Sequence, residues 1–302
     1  MGFIAILRKH GSYQRNPLVA TSLSIRFPLK HCVIRILVRR KPSIVRAIAH
    51  PVINEPMLHR SHDYRHLSTR WRTVAKAAGL SVQTIANTDG MPVFAIKSPA
   101  LSSAAGIYLS AGIHGDEPAS CAGLLAWAES HLRELRDIPA LIFPCLNPWG
   151  LTHNRRTDSR ELDLNRIFHK TRTATISGIR NAVATHQFRA ALMLHEDYDG
   201  EGGYLYEHAQ TTRFAEPLLT AAEKHIPRDP RTRIDGRRAQ NGILRPRITA
   251  DLVKTFGLPE AVWLYQRGCA NSITFETPSE AALEKRVAAH VAVIEKTVEL
   301  CR

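Results

Sequence analysis

Apolar and polar positions change their period several times along this chain, and each change marks an element. Leu67, Trp71, Val74, Ala75 and Ala78 recur at helical spacing, which predicts a helix over residues 64–78 with Gly79 as its stop. Two short runs, Val82–Ala86 and Pro92–Ile96, flank Asp89-Gly90, a dipeptide suited to a tight hairpin turn. Gly106–Ile113 is strongly apolar and reads as a buried strand. Pro118–Leu135 reads as a helix, with Pro118 acceptable in its first turn because no N–H is needed there. Ala140–Leu146 is a second buried strand, closed by Asn147-Pro148. Beyond it the pattern predicts a helix over Gly178–Phe188 and a strand over Ala191–Leu194 that runs into His195. A strand over Tyr204–Tyr206, a helix over Ala215–His225, a strand over Asn271–Thr277 and a closing helix over Glu280–Leu300 complete the series. Residues 227–250 are basic, contain proline and lack a period, so they read as a surface loop. Alternating strands and helices predict an α/β fold: a mixed, mostly parallel sheet with helices on both faces.

Charge changes the picture at one end only. The formal net charge is +14, with 41 Lys and Arg against 27 Asp and Glu. Residues 1–56 hold ten of those bases and a single acid, Glu55, so the remainder carries 31 against 26, a net of +5. A nucleic-acid partner is therefore not expected of the part that folds. Two readings fit residues 1–56: an Arg-rich organellar transit peptide, or an extension upstream of a start at Met57; the second is preferred. The expected division is thus a basic extension over 1–56 and a catalytic domain over 57–302. No run of eighteen apolar residues occurs, so no membrane span is expected. Five scattered cysteines without a Cys-x-x-Cys pair argue for a reducing compartment, and the lack of a secretory signal for the cytoplasm.

The chemistry concentrates where apolar strands end. Gly112-Ile113-His114-Gly115-Asp116-Glu117-Pro118 lies between a buried strand and a helix. A strand-to-helix turn can bring His114 and Glu117 to one point, and glycines relieve its steric limits. His195 ends another buried strand and is the best third ligand. Three protein ligands with one open position suit a catalytic zinc, here a single ion. Either histidine alone would be an ordinary strand-end residue; the pair with a spaced glutamate is more specific. His59, His62 and His66 form a second cluster, better read as the polar face of an amphipathic helix.

At this point a resemblance becomes specific. His114-Gly-Asp-Glu117 resembles the H-x-x-E motif of the carboxypeptidase A-like superfamily of zinc hydrolases. Asn147-Pro148-Trp149-Gly150 looks like its N-P-x-G turn, Asp163-Leu164-Asn165-Arg166 like its D-x-N-R motif, and Ile273-Thr274-Phe275-Glu276 like the strand carrying its catalytic glutamate. The four occur in the family's order. The superfamily includes carboxypeptidases, murein-peptide amidases and the aspartoacylase/succinylglutamate desuccinylase branch. The resemblance implies an α/β/α sandwich and metal ligands His114, Glu117 and His195. It implies Glu276 as general base and Arg156 as the carbonyl-polarising group, with Arg155 an adjacent alternative. Asn165 and Arg166 would grip a substrate carboxylate, since a guanidinium offers two parallel donors. Asp163 would orient His114, with Asp116 the alternative. Tyr204, Tyr206 and Tyr265 are all candidates for a substrate-contacting tyrosine. The acidic run Glu196–Glu201 either lines the pocket or forms a solvated loop, the latter preferred.

The implied activity is zinc-dependent hydrolysis of a peptide or peptide-like amide beside a free carboxylate, as in a metallocarboxypeptidase. An N-acyl amino acid deacylase and a murein-peptide amidase are the rival readings. The Phe275-Glu276 context favours the peptidase side, and the compact interval between Glu117 and His195 favours the others. The expected partner is a small peptide or an acyl amino acid.

Overall fold

The computed structural model describes residues 60–101 and 106–302. The expected basic extension and His59 lie outside the described residues. Helix α1 (Tyr64–Ala78) is capped by the Asp63 carboxylate, which accepts from the His66 N–H, and it ends at Gly79 with φ 67°. Strands β1 (Ser81–Thr88) and β2 (Met91–Lys97) form the expected hairpin. Its turn puts both Asp89 and Gly90 at positive φ, which explains the choice of that dipeptide. Then follow β3 (Gly106–Ala111), α2 (Pro118–Ser130), β4 (Ala140–Phe143), α3 (Pro148–His153), α4 (Ala174–Ala182), β5 (Phe188–Asp197), β6 (Tyr204–Ala209) and α5 (Ala215–Ala222). The chain continues through three two-residue strands, β7 (Arg233–Ile234), β8 (Arg237–Arg238) and β9 (Ile243–Leu244). It closes with α6 (Ala250–Phe256), α7 (Glu260–Gln266), β10 (Asn271–Pro278) and α8 (Leu283–Leu300).

Eight strands form one mixed sheet in the order β1-β2-β4-β3-β5-β10-β6-β9. The β4–β3, β3–β5, β5–β10 and β6–β9 pairs are parallel and the other three antiparallel. Side-chain alternation splits the core in two. Leu109, Leu192, Leu194 and Phe275 pack beneath α1, α2, α5 and α8. Tyr108, Phe143, Ala191 and Met193 face α4 and α7. Because β3, β5 and β10 run parallel, their carboxyl ends open on one edge, where such sheets gather ligands.

Several predicted boundaries shift. The helix expected over Gly178–Phe188 is α4, four residues earlier, and Phe188 instead begins β5. The Ile176, Ile179 and Val183 spacing was helical, but the threonine-rich start disguised the first turn. Helix α2 stops at Ser130, and turns rather than helix carry the chain to Leu135. Residues 227–250 are not wholly loop: β7 and β8 form a small hairpin and β9 extends the main sheet.

Candidate metal centre

The turn after β3 is built by three glycine-dependent contacts. Gly112 takes φ 62° and leaves no room for a Cβ, which would sit 2.4 Å from Cys121 Sγ. Gly115 lies against the N-P-W-G turn, where an added Cβ would be 1.9 Å from the Gly150 carbonyl carbon. Its N–H donates to Arg155 O at 3.0 Å. Gly150 is equally confined, with Asn147 Nδ2 and Arg155 O within 2.6 Å of where its Cβ would be. Asn147 caps α3 by accepting from the Gly150 N–H, and its amide donates to Thr157 O at 3.0 Å and Arg156 O at 3.3 Å. The two motifs that lie 30 residues apart in sequence therefore interlock, and together they fix the loop bearing Arg156.

His114, Glu117 and His195 meet at the sheet edge. Each offers one ligand atom, and these atoms all lie within 4.8 Å of one another; among the described residues no other group of three His, Cys, Asp or Glu does so. His114 Nδ1 is 2.6 Å from Glu117 Oε1, and His195 Nδ1 is 2.8 Å from Glu117 Oε2. All three are buried. Burial alone would lower His114, but Glu117 and Asp163 raise its pKa above the ordinary 6.5. Burial likewise opposes ionisation of Glu117, yet the two imidazoles hold it well below the carboxylate range. Two imidazole nitrogens and a carboxylate, with His114 and Glu117 lining the adjoining cleft, are a donor set that fits zinc.

The neighbouring groups orient this set. His114 Nε2 lies 3.2 Å from Asp163 Oδ1, which leaves Nδ1 to face Glu117. Asp163 also accepts from the Asn165 N–H and, through Oδ2, from Arg156 Nε at 3.1 Å. Arg156 Nη1 stands 3.6 Å from Glu117 Oε1. Asp116 does not take the orienting role; its Oδ1 is buried without a hydrogen-bond partner in the described residues. Arg155 is exposed and uses its backbone carbonyl to hold Gly115.

Glu276 is the register partner of His195 across the parallel β5–β10 pair, and of Tyr204 across β6. Burial pushes its carboxyl up to about 8, and Glu117 and Asp197 add to that against the opposing pull of His195 and Arg156. Asn165 is buried, and its Oδ1 accepts from the Glu260 N–H at 2.9 Å, which pins the clamp segment to the start of α7. Arg166 donates to Asn165 O at 3.1 Å and lines the cleft.

The cleft holds about 540 Å³ and is lined by His114, Glu117, Arg156, Asn165, Arg166 and Glu276. Tyr204 and Tyr206 line it too, with their hydroxyls donating to Asp197 and Asp235; Tyr265 instead packs beside His208 and lines the adjacent groove. The acidic run divides: Glu196, which is buried, and Asp197 both line the cleft, whereas Asp199 and Glu201 are solvated. His62 bonds Leu151 O and His66 faces Arg60, so neither joins a metal cluster. Sequence reasoning missed the far wall of the cleft. Asp235, Arg237, Arg247 and Phe256 come from the stretch read as aperiodic loop and from α6. Its only signal was an excess of arginine, which by itself reads as a solvated segment.

Known proteins can be set beside this geometry. The profile of the succinylglutamate desuccinylase/aspartoacylase catalytic domain matches residues 103–199. Among curated proteins none matches significantly. A candidate metallopeptidase from Shewanella amazonensis superposes with a TM-score of 0.71 at 19% identity, over 80% of this chain and 94% of its own. A metallo-carboxypeptidase from Burkholderia cenocepacia gives 0.59 at 17%, over 78% and 68%. That of Pseudomonas aeruginosa, in complex with (2-guanidinoethylmercapto)succinic acid, gives 0.54 at 17%, over 78% and 69%. At these identities the structures establish a shared fold. The profile match spans the segment that carries His114, Glu117 and His195.

Proposed function

We propose that this protein is a zinc-dependent amide hydrolase that cleaves a peptide or peptide-like bond beside a free carboxylate. The observation that carries the reading is the convergence of His114, Glu117 and His195 beside a cleft that His114, Glu117 and Glu276 line. A bound zinc would lower the pKa of water to roughly 7 and act as a Lewis acid toward a carbonyl. The remaining work falls to side chains. Glu276 takes the proton of the attacking water and passes it to the leaving amine nitrogen. Arg156 faces the same point and donates to the carbonyl oxygen as negative charge builds on it. Asn165 has its Oδ1 committed to the Glu260 N–H, so its amide NH₂ is left to donate, with Arg166, to the substrate carboxylate.

A second reading, an N-acyl amino acid deacylase, is favoured by the profile match over 103–199 and by Arg237 in the far wall. Arg237 has no ion-pair partner among the described residues and would suit a further negative charge on the substrate. The murein-peptide amidase reading lies between the two. Purified zinc-loaded protein should be assayed with a C-terminal dipeptide series beside N-acetyl- and N-succinyl-amino acids. Hydrolysis of the dipeptides supports the peptidase; turnover of the acyl amino acids alone transfers the assignment to the deacylase.

A further inference from the structure

Helix α2 begins at a position that cannot cap itself. Its N-cap residue is Glu117, whose carboxylate faces His114 and His195 and makes no cap hydrogen bond, and Pro118 follows. The next free N–H, that of Ala119, donates instead to Glu196 Oε1. Glu196 follows His195 on β5, and alternation along the strand turns it toward the face occupied by α2 and α8, as Leu192 and Leu194 are turned. Its other oxygen pairs with Arg286 on α8, whose Nε is anchored to Ala281 O at 2.8 Å. The Glu196 side chain is fully buried and that of Arg286 nearly so, at 13% exposure. One carboxylate therefore ties the helix that follows Glu117 to the strand that carries His195, and α8 holds it in place.

We propose that Glu196 and Arg286 are a positioning pair that sets the distance between the metal ligands Glu117 and His195. The inference rests on the zinc reading above and extends it to residues outside the proposed ligand set. Glu196 supplies from the neighbouring strand the helix cap that Glu117 gives up, and Arg286 holds the buried carboxylate in place through its second oxygen. A pair with purely structural value exists in the same fold for comparison. Glu207 accepts from the N–H groups of Phe214 and Ala215 at the start of α5 and pairs with Arg245 at 2.7 Å, with none of the metal ligands involved.

The test is zinc affinity of the full chain by chelator competition, beside thermal melting of the metal-free protein. Glu196→Ala should weaken zinc binding roughly 10- to 100-fold, the range found when groups that orient metal ligands are removed. Glu196→Gln, which still accepts from Ala119, should lose less, and Arg286→Ala should fall between. Arg245→Ala should lower the melting temperature and leave the affinity unchanged. Cobalt substituted for zinc should show an altered visible spectrum in Glu196→Ala and the parent spectrum in Arg245→Ala. Should Glu196→Ala fail to fold, Arg286→Ala and Glu196→Gln carry the same comparison. Parent affinity in the folded Glu196 and Arg286 variants would overturn the positioning role while leaving the zinc reading intact. A parent protein that binds no zinc overturns both.

Discussion

Gly115 and Gly150 touch backbone to backbone, so closely that a methyl on Gly115 would lie 1.9 Å from the Gly150 carbonyl carbon. The contact joins the His114–Glu117 turn to the Asn147 turn and explains why both segments carry glycine. Gly115→Ala should therefore displace the turn. A destabilisation of about 3 kcal/mol or more is expected in denaturant unfolding, at the upper end for overpacking, together with reduced zinc uptake. A stable variant with parent zinc content would show that the contact can relax.

Glu276 and His195 sit side by side in the sheet but should behave differently when replaced. His195→Ala removes a ligand and should lose most of the metal. Glu276→Gln keeps the ligand set and should retain one zinc per chain while turnover drops by about 10²–10⁴-fold, the range for a general base. Metal analysis of both variants alongside steady-state rates separates the two roles, and full activity in either removes its assignment.

Much of this arrangement was legible from the chain. The apolar runs ending at Ile113 and Leu194 located two strand ends, and parallel pairing of β3, β5 and β10 put His114, His195 and Glu276 on one edge. One polar residue ending an apolar strand is a weak signal; two histidines at such ends, one with a spaced glutamate, are a stronger one, because buried charge is costly unless used. The signal failed where contact depends on tertiary packing. Glu196 looked like part of a solvated acidic loop because the arginine that buries it lies 90 residues away, on α8. Residues 227–250 had no hydrophobic period, since the walls of an open cleft need not alternate as a core strand does. The helix boundary at Phe188 slipped because an aromatic residue packs equally well at the end of a helix or the start of a strand.

Asp163 holds two functional groups at once, His114 Nε2 and Arg156 Nε. Asp163→Ala should therefore reduce zinc affinity by roughly 10- to 100-fold and also reduce turnover at saturating zinc, because Arg156 loses its anchor. Loss of affinity with turnover fully restored by added zinc would confine Asp163 to the histidine.

Acid and base should move the metal-free and zinc-loaded proteins in opposite directions. His114 is raised above its ordinary 6.5, so the stability from its pairing with Glu117 is complete below pH 6.5 and lost as pH rises through the raised value. Glu117 is depressed below its ordinary 4.5, so its contribution is present above pH 4.5 and lost as pH falls through the depressed value. The metal-free protein should be most stable where both hold, between pH 4.5 and 6.5. Zinc competes with the proton on His114, so its stabilisation should grow as pH rises above that window. Melting curves from pH 5 to 9 with and without zinc check both slopes; a zinc-induced shift that is flat with pH contradicts the assignment of His114 as a ligand.

The central claim is that one divalent ion bound by His114, Glu117 and His195 drives amide hydrolysis. The most direct measurement is elemental analysis of the purified protein paired with activity before chelation, after chelation and after zinc is returned. The account predicts one zinc per chain, loss of activity with the metal and recovery with stoichiometric zinc. Undiminished hydrolysis by metal-free protein, or a folded protein that takes up no zinc, would contradict it.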